Sequence, residues 1–356
     1  MKKLKKETTT AQSMLETWSS YFPGVAMALV IASVAQFIES ILPIHFIGGS
    51  VIAMFMGILI NHYWSLAAVY RPGIQFTSKK ILKFAIILLG ASLNVATILN
   101  VGRMSLNVMF FTLLTAFGGG YLVGKVLKLD WKLSSMISAG TGICGGSAIA
   151  SMAPVIEAED HDVAYAISST FLFDMVMILL FPIMGRALGL SDVAYGLWTG
   201  TAVNDTSSVV AAGYAFSEAA GDFATMVKLT RTLTIIPTVL AFSFISQRIK
   251  QKKLRASGQA TEASAKVNFT SLFPWFIVFF VLMAVLNSTG LFSAAFSGTL
   301  KSISRFLMVA ALAAIGLKTD LTKMKQSGFN PMLHGFIISV LVVIVSLAVQ
   351  YMMGIV

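Results

Sequence analysis

The chain has 356 residues, of which 56% are hydrophobic and only 12% charged, with a mean hydropathy of +0.82; this excludes a soluble enzyme and leaves an all-α, polytopic integral membrane protein with no soluble domain of useful size. The net charge of +11 does not point to nucleic acid, because the basic residues sit in short turns between apolar runs and read as topology signals. Cys144 is the one cysteine, so there is no internal disulfide, and the four histidines show neither HExxH nor paired spacing, so no metal centre is expected.

A lipid-crossing helix needs about 20 mostly apolar residues. On that rule about eleven transmembrane segments follow a cytoplasmic N-terminal segment, 1–22, that carries no cleavable signal peptide: 23–43, 47–66, 81–99, 106–124, 133–155, 163–184, 193–215, 224–247, 270–288, 302–317 and 332–354. Together, 23–356 form one membrane domain. Lys2, Lys3, Lys5 and Lys6 place the N-terminus in the cytoplasm, and alternate turns carry Arg71, Lys79 and Lys80, then Lys125, Lys128 and Lys132, then Arg186. The loop 248–269 is the most basic, and Lys318, Lys323 and Lys325 close the series. The opposite turns are poor in lysine and arginine, and two, 157–162 and 218–222, are acidic, which predicts a C-terminus outside. The tract 256–265 reads as a flexible cytoplasmic linker.

Two of the segments are too polar for lipid alone. The first, Gly140-Thr-Gly-Ile-Cys-Gly-Gly-Ser-Ala-Ile-Ala-Ser151, places four glycines and three hydroxyl side chains at the expected midplane. Irregular backbone survives in hydrocarbon only beside protein or a polar cavity, so Gly142, Cys144, Gly145, Gly146 and Ser147 are candidate substrate ligands on a broken helix or re-entrant hairpin. Gly142 and Gly146 also form a GxxxG pair, which fits close helix packing. The second, Trp198 to Ser208, puts Asn204, Asp205, Thr206, Ser207 and Ser208 inside a span. An ionised Asp there costs about 2.5–3.5 kcal/mol and must face a partner or water. Interhelical hydrogen bonding is the plainer use of these groups, but five polar residues in a row exceed it.

Lys228 and Arg231 share one helix face in the next segment. Arg231 lies roughly 10 Å inside it at 1.5 Å per residue, where its guanidinium suits a carboxylate, sulfonate or sulfate. A salt bridge to Asp205 or snorkelling to the surface are the structural alternatives. Asp174 sits centrally in 163–184, where a buried carboxyl suits proton coupling or a hydrogen bond to a neighbouring helix. Leu89-Gly90, Asn94, Ile98 and Gly102 match Ile315-Gly316, Asp320, Met324 and Gly328 at a constant offset of 226 positions, as an inverted repeat would.

Gly140 to Ser151, the run Gly200-Thr-Ala-Val-Asn-Asp-Thr-Ser-Ser-Val-Val-Ala-Ala-Gly213, Lys228-Leu-Thr-Arg231 and Ala314-Ile-Gly-Leu-Lys-Thr-Asp320 together resemble the YeiH-type sulfate exporter family of bacterial inner-membrane proteins, from about residue 23 onward. The resemblance implies export of sulfate or a small organosulfonate, and an elevator-like architecture of scaffold and core bundles, as a homodimer. It also implies histidine at the position of Asn204, a departure that moves any proton role to Asp205 and Asp174. The leading expectation is a secondary transporter of a small anion, coupled to H+ or Na+ through Asp205 or Asp174, with no cofactor, no nucleic acid and the lipid bilayer as its medium. A cation/proton antiporter using Asp205 and Asp174 is the alternative. An intramembrane enzyme lacks a histidine base near Cys144 or Ser147, and a passive channel fits poorly with interrupted helices.

Overall fold

A computed structural model describes residues 2–41, 49–64, 67–256, 275–319 and 328–356, and among these every regular element is helical. Six helices among the described residues are long and apolar enough to cross a membrane: Ser19–Ile41, Val95–Val126, His161–Ala187, Glu218–Ile249, Ala294–Lys318 and Phe329–Met352. Gly49–Tyr63 and Trp275–Ser288 are shorter apolar helices. Several starts are fixed by side chains that accept an otherwise orphaned backbone N–H: Asp130 from Lys132, Ser191 from Ala194, Asp205 from Ser207, Ser217 from Ala220 and Ser293 from Phe296.

The polar start is continuous with the first span, in one helix, Lys2–Ile41, that contains Pro23. The span expected at 81–99 is corrected, while that expected at 106–124 lies within the longer helix Val95–Val126. Residues 71–90 form one helical stretch with a π-helical turn at Thr77–Ile81, so Arg71, Lys79 and Lys80 lie on a helix and not in a turn. The chain leaves the helix at 91–94 and resumes at Val95. Apolar composition hides this break, and polar side chains make it possible by taking up the freed backbone groups. Ser92 Oγ donates to the Leu89 carbonyl (2.8 Å), Asn287 Nδ2 to the Leu93 carbonyl (3.1 Å), and Ser288 Oγ accepts the Val95 N–H (3.0 Å). Most of the expected linker 256–265, and Asp320 and Met324 of the expected repeat, lie outside the described residues.

The chain divides into two compact units: Met1–Val95 with Phe276–Leu321, and Ala96–Trp275 with Thr322–Val356. The first packs on small residues, with Ala28, Ala32, Ala35, Ala53, Ala310, Ala313 and Ala314 buried at its centre. Lipid is as apolar as leucine, so membrane helices associate through close packing and polar contacts. Two such contacts are repeated reciprocally. Asn61 Nδ2 donates to the Thr319 carbonyl (2.8 Å) and Asn287 Nδ2 to the Leu93 carbonyl (3.1 Å). Gly316 lies flush on the Met54 carbonyl and Gly90 on the Phe280 carbonyl, with no room for a methyl group at either glycine. Equivalent residues of the two contacts of each kind (Asn61 and Asn287, Leu93 and Thr319, Met54 and Phe280, Gly90 and Gly316) stand 226 positions apart, with the contributing halves exchanged.

In the second unit both polar interruptions are helical hairpins. The first descends through Trp131–Ala139 and a π-helical turn, Gly140–Cys144, reverses at Gly145 and returns through Gly146–Met152. Gly140 is packed against Ile149 across the reversal, and Lys132 Nζ donates to the Glu157 carbonyl (2.6 Å). The second rises through Asp192–Ala202, turns at 203–205 and returns through Thr206–Phe216. Its base is closed by stacking of Tyr195 on Phe216 (centroids 3.9 Å apart), a Tyr195 hydroxyl bond to the Ala212 carbonyl (2.9 Å), and Ser217 Oγ donating to Asp192. The helix Asp160–Ala187 joins the base of one hairpin to the base of the other, so the two enter from opposite ends. The acidic turn 157–162 therefore lies on the same side as Lys132, where the sequence pattern had placed it opposite: a hairpin returns the chain to the side it came from, whereas a span does not.

The reciprocal glycine contacts predict that Gly316→Ala lowers the thermal stability of detergent-purified protein by about 1–3 kcal/mol through overpacking. Gly298→Ala, whose new methyl meets nothing within 4 Å, leaves it unchanged or slightly raised.

Candidate functional site

The hairpins meet tip to tip. Gly145 has φ +62°, a left-handed conformation that glycine alone adopts freely, and a methyl group there would lie 2.8 Å from Asp205 Oδ1. Val203 and Asp205 are extended, which stops the helix Asp192–Ala202 and starts Thr206–Phe216. Such reversals leave the last carbonyls of one helix and the first N–H groups of the next without helical partners.

Two cations from one helix, Glu218–Thr232, take up the carbonyls. Lys228 Nζ donates to the carbonyls of Ile143 (2.7 Å), Val203 (3.1 Å) and Asn204. Arg231 donates from Nε to Gly142 (2.6 Å), from one terminal nitrogen to Val203 (3.1 Å) and from the other to Thr141. Both side chains are wholly buried. Cations suit helix C-terminal ends because the peptide dipoles leave partial negative charge there. Each cation therefore holds carbonyls from both hairpins at once. Glycines 196 and 200 let this helix come close: a methyl at either would press on Ala220, Phe223, Ala224 or Val227.

Asp174 takes up the N–H groups. One carboxylate oxygen accepts from the Asn204 N–H (2.9 Å) and the other from the Asp205 N–H (2.7 Å), with the side chain 1% exposed. Asp205 accepts from the backbone N–H of Ser207 (2.9 Å) and from its hydroxyl. Asn204 Nδ2 reaches the Thr170 carbonyl (3.4 Å) and Ser339 Oγ (3.3 Å). The Phe329–Met352 helix also touches the second hairpin through Ser346 on Thr201 (2.6 Å) and through the Val343 carbonyl, which accepts from Trp198 Nε1 (2.9 Å).

The structure thus joins Gly142, Gly145, Asp174, Asn204, Asp205, Ser207, Lys228 and Arg231 in one set of contacts, though not in one role. Gly142, Cys144, Gly145, Asn204, Ser207 and Ser208 are buried; Gly146, Asp205 and Thr206 are half-buried; Ser147 is exposed. Arg231 faces carbonyls, and neither Arg231 nor Lys228 is within ion-pair distance of Asp205. Two buried polar atoms at the tips, Thr141 Oγ1 and Asn204 Oδ1, have no protein partner, and unsatisfied buried groups of this kind mark places where a ligand or water completes the network. The sequence pattern missed Thr170 and Ser339, counted Thr141 only among the hydroxyls of its motif, and argued anion contact from the guanidinium of Arg231. The i, i+3 spacing of the two cations was the signal that they work as a pair.

The family described as conserved hypothetical protein 698 matches residues 23–335. A UPF0324 membrane protein of Clostridium tetani is 52% identical over 337 residues, covering 94% of this chain and 98% of that one. A UPF0324 membrane protein of Streptococcus mutans is 38% identical over 339 residues (93% and 97%), and one of Streptococcus pyogenes serotype M6 is 40% identical over 341 residues (94% and 97%).

Asp174→Asn turns one of two accepting oxygens into an amide and orphans a buried N–H. The expected loss is about 1–3 kcal/mol of stability, read as a lowered Tm, while Ser147→Ala at its exposed position stays within about 0.5 kcal/mol of wild type.

Proposed function

Because the chain belongs to the conserved hypothetical protein 698 family, whose relatives are membrane proteins, and carries two hairpins that meet at a buried charged contact, we propose that it is a secondary transporter of a small anion, sulfate or a small organosulfonate, moved outward by alternating access. The observation that carries the reading is the polarity of the tips. Their carbonyl ends are closed by Lys228 and Arg231, whereas the partly open positions at the beginnings of the returning helices are Gly146, Ser147, Thr206 and the capping Asp205. N–H groups and hydroxyls at helix beginnings suit an anion. Thr206 and Ser147 are the hydroxyls available, since Asp205 already holds that of Ser207. Gly145 supplies the close backbone approach, and Asn204 Oδ1 and Thr141 Oγ1 supply unmet hydrogen-bonding capacity. H+ or Na+ coupling falls to Asp205, the half-buried carboxylate of the pair. Cys144 and Ser147 have no histidine at hand in the tips, so no enzymatic role is proposed.

The same reading gives a topology. Six long helices, two shorter ones and the stretch 71–90 make nine crossings among the described residues, with the hairpins dipping in and returning. Nine is odd, so a cytoplasmic N-terminus still leaves the C-terminus outside, in the bacterial inner membrane. The reciprocal contacts at 226 positions support an inverted repeat within the first unit, which suits a scaffold, and the second unit suits a moving core. A homodimer and the absence of a cofactor are part of the proposal. The alternative, a cation/proton antiporter, is favoured by two carboxylates at one tip: Asp174, which accepts the Asn204 and Asp205 N–H groups, and Asp205 itself, which accepts from Ser207.

A thermal-shift screen in sodium-free buffer with sulfate, sulfite, thiosulfate, taurine, sulfoacetate and matched carboxylates tests the anion. A true ligand at 100 times its Kd adds about 2.7 kcal/mol of stability, and Ser147→Ala or Thr206→Ala removes the shift. Stabilisation by sodium or pH alone, with no anion effect, turns the assignment to the antiporter. In proteoliposomes, Asp205→Asn abolishes coupled transport with Tm retained; unchanged transport removes Asp205 from the mechanism.

A further inference from the structure

The six carbonyl contacts made by Lys228 and Arg231 differ in kind. Those of Arg231 are spread over three nitrogens of a rigid planar fork, each meeting its own acceptor or acceptors. Those of Lys228 converge on a single atom: the carbonyl oxygens of Ile143, Val203 and Asn204 all surround Nζ. An ammonium has three N–H donors and no acceptor, so three carbonyls match it completely. One oxygen comes from the end of the π-helical turn of the first hairpin and two from the unwound tip of the second. Unwound carbonyls and helix C-terminal ends are also the groups that coordinate alkali cations in broken-helix membrane proteins, and rings of carbonyl oxygens replace a cation's hydration shell. The side chain is buried throughout its length.

We infer that the space between the hairpin tips is a monovalent-cation site filled by the chain's own ammonium, so that Lys228 does there what a free sodium ion would otherwise do. The inference goes beyond the anion reading and does not need it. A tethered cation does not leave with the substrate, so the tips stay joined without sodium in the medium.

The site is opened by K228A, which removes the ammonium and its stem while leaving the three main-chain oxygens. Thermal unfolding is followed in choline chloride, sodium chloride and ammonium chloride at constant ionic strength and without sulfur anions. K228A melts below wild type in choline, and sodium or ammonium raises its Tm in a concentration-dependent, saturating way, because an ion that binds only the folded state stabilises it by mass action. A K228A protein that can be recovered only with one of those ions present is the same result in stronger form. K228M, whose apolar side chain fills the space, shows no such recovery. Wild type and K228M, in which the space is filled, set the response of the rest of the protein to each salt, including any sodium bound at Asp205. A K228A protein that gains no more in sodium or ammonium than wild type and K228M do overturns the inference. Neither outcome bears on the anion-induced shifts, which are read separately in sodium-free buffer.

Discussion

Two buried cations against main-chain carbonyls are the interaction on which the second unit depends. A chain that reverses inside a membrane must find partners for the backbone groups it frees, and each one left unpaired costs several kcal/mol. The first hairpin frees carbonyls at Thr141, Gly142 and Ile143, and the second frees them at Val203 and Asn204; Lys228 and Arg231 accommodate all five. Asp174 does the complementary work for the N–H groups of the second tip. Burying a lone charge is expensive, and burying it fully hydrogen-bonded among opposite charges and dipoles is what makes it tolerable. Two cations, Lys228 and Arg231, and two carboxylates, Asp174 and Asp205, meet that condition together.

The first unit solves a different problem by a different means. Its helices keep regular hydrogen bonding over most of their length and approach through glycine and alanine. Its polar contacts are sparse and placed where helices end, as with Asn61 on Thr319 and Asn287 on Leu93. One unit is thus close-packed and uniform, and the other carries the irregular backbone and nearly all the buried charge described above.

Much of this was legible in the sequence. Hydropathy gave the helical membrane class, and the runs of glycine and hydroxyl residues at 140–151 and 200–208 marked both reversals, because they are longer than close packing or interhelical hydrogen bonding needs. Hydropathy could not separate a broken span from a hairpin, since both are apolar segments of similar length; the distinction rests on tertiary pairs such as Lys132 with Glu157 and Tyr195 with Phe216. The break at 91–94 was invisible for the same reason, its partners Asn287 and Ser288 lying nearly 200 positions away. Asp174 was legible as a buried carboxylate but not as the group that holds a hairpin tip, because its partners are backbone N–H groups, which every residue carries. Arg231 was selected for the right reason, a cation too deep to snorkel, and its partners proved to be carbonyls of the protein.

The acceptors that join the two hairpins are all main-chain oxygens. Replacing the side chain at 141, 143 or 203 alters shape and volume but leaves an oxygen in its place, so the joint is insensitive to residue identity at those positions. The side chains at 147 and 206, which stand at the partly open ends of the returning helices, take no part in it. On the function proposed above, ligand preference and mechanical integrity would thus be carried by separate sets of atoms, and a lineage of such proteins could change what it recognises by substitutions at the rim without first having to re-engineer the joint.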